Sequence, residues 1–168
     1  MPADRHSETK EFIRRWCSKL SVEEVDWQNA SEPKRYNCMG FAVGVLKWWQ
    51  PYERDRHGRV KNPRDYWPAG VPSQVTIDAY IRAAESVRFS CCDPGWEPGF
   101  EKIVLFYKTV GQERLFTHAA RQVSVDRWKS KIGKESDIEH GEDIGCAPYG
   151  NGKIYMKRAR IPSVLEGP

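Results

Sequence analysis

The stretch YNCMGFAVGVLKWWQP, from Tyr36 to Pro51, decides the fold. Between Met39 and Trp49 it is apolar almost all round, which predicts a helix at the centre of the molecule that stops at Pro51. Asn37 is placed to cap that helix, and Cys38 stands where a polar segment meets its first turn. Such a helix needs a surface to pack on, and the C-terminal half supplies one. There the hydrophobic period falls to two: 101–109 (EKIVLFYKT), 114–123 (RLFTHAARQV), 126–131 (DRWKSK) and 153–159 (KIYMKRA) predict strands. Gly111-Gln112 forms the turn between the first two, Gly133 ends the third, and 134–150 reads as irregular. Helices first and an antiparallel sheet after them make an α+β pattern.

Working outward, residues 8–20 (ETKEFIRRWCSKL) put Phe12, Ile13, Trp16, Cys17 and Leu20 on one helical face, with Ser7 as a cap. The polar segment 21–35, ending Ser-Glu-Pro-Lys-Arg, predicts an irregular connection. Residues 51–72 are dense in Pro, Gly and charge and predict a long surface insertion of the kind that is often functional. Trp48, Trp49, Tyr66 and Trp67 are expected to pack its aromatic end onto the helix. A second amphipathic helix is predicted over 73–87, capped by Ser73, with Val75, Ile77, Tyr80, Ile81 and Ala84 inward. The turn-rich run 91–100 connects it to the sheet. The expected organisation is one domain, 1–168, with a helical extension at 1–32 and the insertion at 51–72.

Composition narrows the function classes. The 168 residues include 39% apolar and 30% charged, with seven Trp, seven Tyr and six Phe, enough for one core. No apolar run is long enough to span a bilayer. The polar start MPADRHSETKEF lacks the apolar core of a signal peptide, so a cytoplasmic protein is expected, or one delivered by a specialised secretion system. The net charge of +4 is spread among acidic residues, which favours a solvated surface over nucleic-acid binding. Five cysteines without a secretory signal argue against a disulfide framework. No CxxC pair or His spacing suggests a structural metal site, and no cofactor is expected.

Cys38 is the candidate nucleophile. A helix N-terminus stabilises a thiolate, and its free N–H groups can receive an oxyanion. The other thiols lie on a helical face (Cys17), in a connector (Cys91, Cys92) or in a late loop (Cys146). His118 is the candidate base, inside a predicted strand and followed by the small residues Ala119 and Ala120, which leave room for a partner. His6 and His57 fall in a terminal segment and a charged loop; His140 is the rival. Asn37 suits helix capping or oxyanion binding, and Lys131 suits a substrate carboxylate, a pair with Glu139, or a solvated strand end.

The order of a helix-borne Cys38 followed by a strand-borne His118 resembles the papain-like NlpC and CHAP-type cysteine peptidases and amidases. More closely, YNCMGFAVG, WW-x-P, YWPAGVP, EPGFEKIVLF, THAARQ, RWKSKIGKESDIEH and PYG resemble a family of small, functionally uncharacterised bacterial proteins related to that superfamily, over residues 33–158. The resemblance implies a papain-like fold with Cys38 as nucleophile and His118 as base, and supplies no substrate; the expected activity is hydrolysis of an amide or isopeptide bond in a protein or peptide, as a peptidase, amidase or deamidase. It also implies a third polar residue on the next strand that orients the histidine. That position is Ser130, a weaker partner for an imidazolium than a carboxylate. Gln122, Asp137, Glu139 and His140 are the alternatives. A fold kept for binding, without catalysis, is the competing reading.

Overall fold

The computed structural model describes residues 6–23, 26–28, 36–132 and 136–160. Its frame is a seven-stranded sheet in which every neighbouring pair is antiparallel. The strands are β1 (Asp26–Gln28), β2 (Ser90–Cys91), β3 (Phe100–Val110), β4 (Glu113–Ser124), β5 (Arg127–Ile132), β6 (Ser136–His140) and β7 (Gly152–Ala159). They lie in the order β1-β6-β5-β4-β3-β7-β2. The molecule is α+β, with the four expected strands forming the middle of the sheet.

Alternation along these strands sorts the apolar side chains into two clusters. Ile103, Leu105, Ala119 and Met156 face helices α2 (Cys38–Val43) and α3 (Ile77–Glu85), where Met39, Val43, Ile77 and Tyr80 close the first cluster. Val104, Phe106, Ala120, Trp128, Ile132 and Ile138 face the other way, towards Ile13 and Cys17 of helix α1 (Ser7–Trp16) and its end. Both clusters bury a tryptophan fully, Trp49 in the first and Trp128 in the second.

Several expectations are corrected. The central helix ends at Val43, six residues long, rather than reaching Trp49. Gly44 takes a left-handed conformation (φ 72°), and the chain doubles back. Segment 45–49 then crosses the helix so closely that a β-carbon on Gly40 would meet the Lys47 carbonyl oxygen at 2.2 Å. Trp49 is thereby delivered to the core from an extended segment and pairs with Tyr66. The insertion folds back through its aromatic end as expected. Tyr66 meets Trp49 edge-on at 4.7 Å, and Trp67 meets Tyr80 at 5.0 Å.

Thr76, not Ser73, caps α3 by accepting from the Ala79 N–H; the Ser73 hydroxyl donates to Tyr52 O instead. Val75 and Trp16 point outward rather than inward, and Ser7 does not cap α1, whose N-cap residue is His6, with no side-chain capping bond. The supposedly irregular 134–150 contains β6 and a short 3-10 turn, Ala147–Tyr149. Within 21–35, β1 pairs with β6, so this part of the chain completes the sheet. Ser31 to Arg35 and Gly133 lie outside the described residues. Cys17 and Cys146 are joined by a disulfide, against the expectation of free thiols; an antiparallel bridge between the same two residues brings them together.

Candidate active site

Asn37 prepares the site before Cys38 enters it. Its Oδ1 accepts from the Gly40 N–H (3.1 Å) and the Trp49 N–H (3.2 Å), while Nδ2 donates to Trp49 O (2.6 Å). It therefore caps α2 and ties down the returning chain. The side-chain amide is engaged in this latch, so of its two expected roles the capping role holds.

Cys38 opens α2, partly buried, with a free thiol. Burial pushes its pKa up to about 11, opposed by the Ala119 N–H, the amides at the helix start and the charge of Lys131. The largest of these opposing influences is a strand amide, that of Ala119. A six-residue helix contributes little dipole of its own.

Lys131 differs most from its expected place. It is 1% exposed, with Nζ 3.9 Å from the centre of the Tyr36 ring. Burial lowers its pKa, while Asp137 and Cys38 oppose the shift. Tyr36 donates its hydroxyl to Asp137 Oδ2 at 2.7 Å; Oδ1 of the same buried carboxylate has no hydrogen-bond partner among the described residues. Glu139, the partner foreseen for Lys131, binds Arg127 at 3.0 Å and lies 3.9 Å from Lys129. Tyr36, Cys38, Lys131 and Asp137 form a charged cluster on the α2 side of the sheet.

His118 points into the other cluster. It is paired with Phe106 across the β3–β4 ladder, and its ring lies flat on Tyr149 at 4.2 Å. Burial lowers its pKa to about 3, with His140 adding to the shift, so the ring is neutral. Nε2 has no partner among the described residues. The next residue, Ala119, belongs to the first cluster and offers its N–H to the Cys38 thiol. Two consecutive residues of β4 therefore line the site, His118 through its ring and Ala119 through its backbone N–H.

Ser130 does not orient His118. Its hydroxyl is 2.8 Å from His140 Nε2, and His140 Nδ1 is 2.5 Å from Gly141 O. A carbonyl only accepts, so Nδ1 carries the proton and Nε2 accepts from Ser130. Burial lowers the His140 pKa to about 4. Gln122 donates to Val125 O at the β4–β5 turn. Of the alternatives for the third position, Asp137 meets Tyr36, Glu139 meets Arg127, and His140 meets Ser130.

The residues not singled out as site members are Tyr36 and Tyr149. Both stand in quoted motifs, beside Asn37-Cys38 and in PYG, but aromatic letters there read equally as packing. Among the described residues, no group of three or more His, Cys, Asp or Glu is placed to hold a metal ion.

A family described as Domain of unknown function (DUF7689) matches residues 27–157. The chain belongs to this family. No curated protein and no solved structure matches it. The DUF7689 region takes in the whole candidate site, from Tyr36 to Tyr149, and leaves α1 with Cys17 outside. The disulfide thus joins the DUF7689 region to the segment before it.

Proposed function

We propose that the chain is a cysteine hydrolase of papain-like design that cleaves an amide or isopeptide bond in a protein or peptide, with Cys38 as nucleophile. The observation that carries this reading is the meeting of β4 with the sulfur. The Ala119 N–H faces the thiol, and the residue before it is a neutral histidine with an unengaged ring nitrogen. A neutral imidazole is the form that accepts a proton, and freeing Nε2 costs no hydrogen bond.

In the proposed cycle the Cys38 S–H proton passes to His118 as sulfur bonds to the carbonyl carbon. The amine leaves with that proton, and water then cleaves the thioester. With the thiol held near 11 and the imidazole near 3, the resting pair is neutral. Proton transfer accompanies attack rather than preceding it as an ion pair.

One observation favours a second reading, a binding domain without catalysis: His118 Nε2 makes no hydrogen bond to the Cys38 thiol. Both readings meet the same test. A chloroacetamide probe at neutral pH, read residue by residue by mass spectrometry, should label Cys38 in the wild type faster than Cys92. Replacing His118 with Ala should slow that labelling by about 10²-fold or more. Labelling of Cys38 that is slow and indifferent to His118 defeats the hydrolase and leaves the binding domain.

A further inference from the structure

Burying a lysine beside a half-satisfied carboxylate is costly, and another buried lysine of the sheet, Lys102, meets Glu97 at 2.7 Å. Arg127 meets Glu139 and Arg121 meets Glu101 in partly exposed positions. Lys131 has its ammonium against the Tyr36 ring, two residues before Cys38, and its strand partner is Asp137. Asp137 in turn spends one oxygen on Tyr36 and leaves the other unbonded among the described residues. Helix α2 packs on both β4 and β5, and Cys38 at its start and Lys131 on β5 each feel the other's charge.

We propose that Lys131 is a positioning residue for the nucleophile: its ammonium, fixed by Tyr36 and Asp137, holds the negative charge that Cys38 acquires when its proton leaves. This deepens the reading of Cys38 given above and rests on it. Lys131 keeps its three protons throughout, while the thiol proton goes to His118. Asp137 sets the strength of the effect by offsetting part of the ammonium charge. The other ionisable groups around the pair are Tyr80 from α3 and Tyr149 from the 3-10 turn, both neutral phenols whose pKa values burial raises. Lys129 and Glu139, two positions away on the same face of β5 and β6, largely offset each other. The electrostatic balance at the sulfur is therefore set by Lys131 against Asp137.

The assignment predicts opposite signs for two substitutions, which a purely structural role does not. Alkylation of Cys38 by iodoacetamide is followed from pH 6 to 9 by mass spectrometry in variants whose folding is confirmed by circular dichroism. Lys131→Met should slow the reaction at neutral pH about tenfold, with the profile moved about one unit upward. Asp137→Asn keeps an acceptor for Tyr36 and should speed it several-fold, with the profile moved downward. Lys131→Arg should restore part of the rate, because only the charge is needed. Where Lys131→Met does not fold, the sign of the Asp137→Asn shift decides alone. Shifts of the same sign in both variants, or none in Asp137→Asn, overturn the role of Lys131 and leave a His118-dependent Cys38 intact. A thiol unreactive in every form, wild type included, overturns the hydrolase reading itself.

Discussion

The two faces of the sheet handle buried polarity in opposite ways. On the α2 side, Lys131 and Asp137 are buried together with a thiol and a phenol, so charges of both signs share one cluster. On the α1 side, two imidazoles are buried against aromatic and aliphatic groups, and burial drives both to the neutral form. The difference shows what decides ionisation inside this protein. On the first face Asp137 and Cys38 counter the lowering of the Lys131 pKa by burial; on the second, burial outweighs every opposing contact and leaves both imidazoles neutral.

The comparison breaks most forcefully at the two tryptophans. Each fills its own cluster, so Trp49→Ala and Trp128→Ala should each cost about 3–5 kcal/mol in urea unfolding. Their side effects should differ. Trp49 is the residue whose backbone Asn37 holds, so its loss should loosen the start of α2 and alter Cys38 alkylation. Loss of Trp128 should leave alkylation of the folded protein close to wild type. Equal effects on the thiol would show that the faces are not mechanically separate.

The disulfide sharpens the comparison from the other side, because it staples only the α1 face. Cys17 and Cys146 are 129 positions apart, and closing so long a loop restricts the unfolded chain strongly. Cys17→Ser should cost about 2–4 kcal/mol, measured against the oxidised wild type. The 3-10 turn that carries Tyr149 begins right after Cys146, so the ring resting on His118 should gain mobility as well. A melting temperature that ignores both this substitution and added reductant would mean that the bond does not restrain the fold.

How much of this was legible in the sequence follows from what each feature depends on. Strands β3, β4, β5 and β7 were readable because alternation is local: Ile103 and Leu105 go one way, Val104 and Phe106 the other. The length of α2 was not, because its end is set by a left-handed Gly44 and by a distant latch from Asn37 to Trp49. Strands β1 and β6 were missed because each is short and gains its place from its neighbour. Cys38, His118 and Asn37 were singled out as candidates by residue type and position, and of their expected roles the capping by Asn37 is the one the structure displays. Lys131 was left between a substrate contact, a pair with Glu139 and a solvated end, since burial of a charge depends on Tyr36, nearly a hundred positions upstream, and leaves no local mark. Ser130 was assigned to the wrong histidine for the same reason: its partner is chosen by the β5–β6 pairing, in which Ser130 stands opposite Ile138 and His140 is two residues further on.

The smallest of the expected effects, measured per unit of pH, tests the second face alone. His118 and His140 have folded pKa values of about 3 and about 4, below the ordinary value of 6.5. As the pH falls through 6.5 the unfolded chain takes up protons that the folded state refuses, so stability is complete above that range and declines below it. The loss continues until the folded pKa values are reached, at up to about 1.4 kcal/mol per pH unit for each histidine. Carboxylates such as Asp143, whose pKa its contact with Lys19 holds below the usual value, contribute only at lower pH. Urea unfolding between pH 6.5 and 4.5 therefore isolates the imidazoles. His118→Asn should remove about half of the slope, and adding His140→Asn most of the remainder. A flat profile in the wild type, or an unchanged slope in the double variant, would mean that the second face holds its imidazoles charged, and the contrast between the faces would fall.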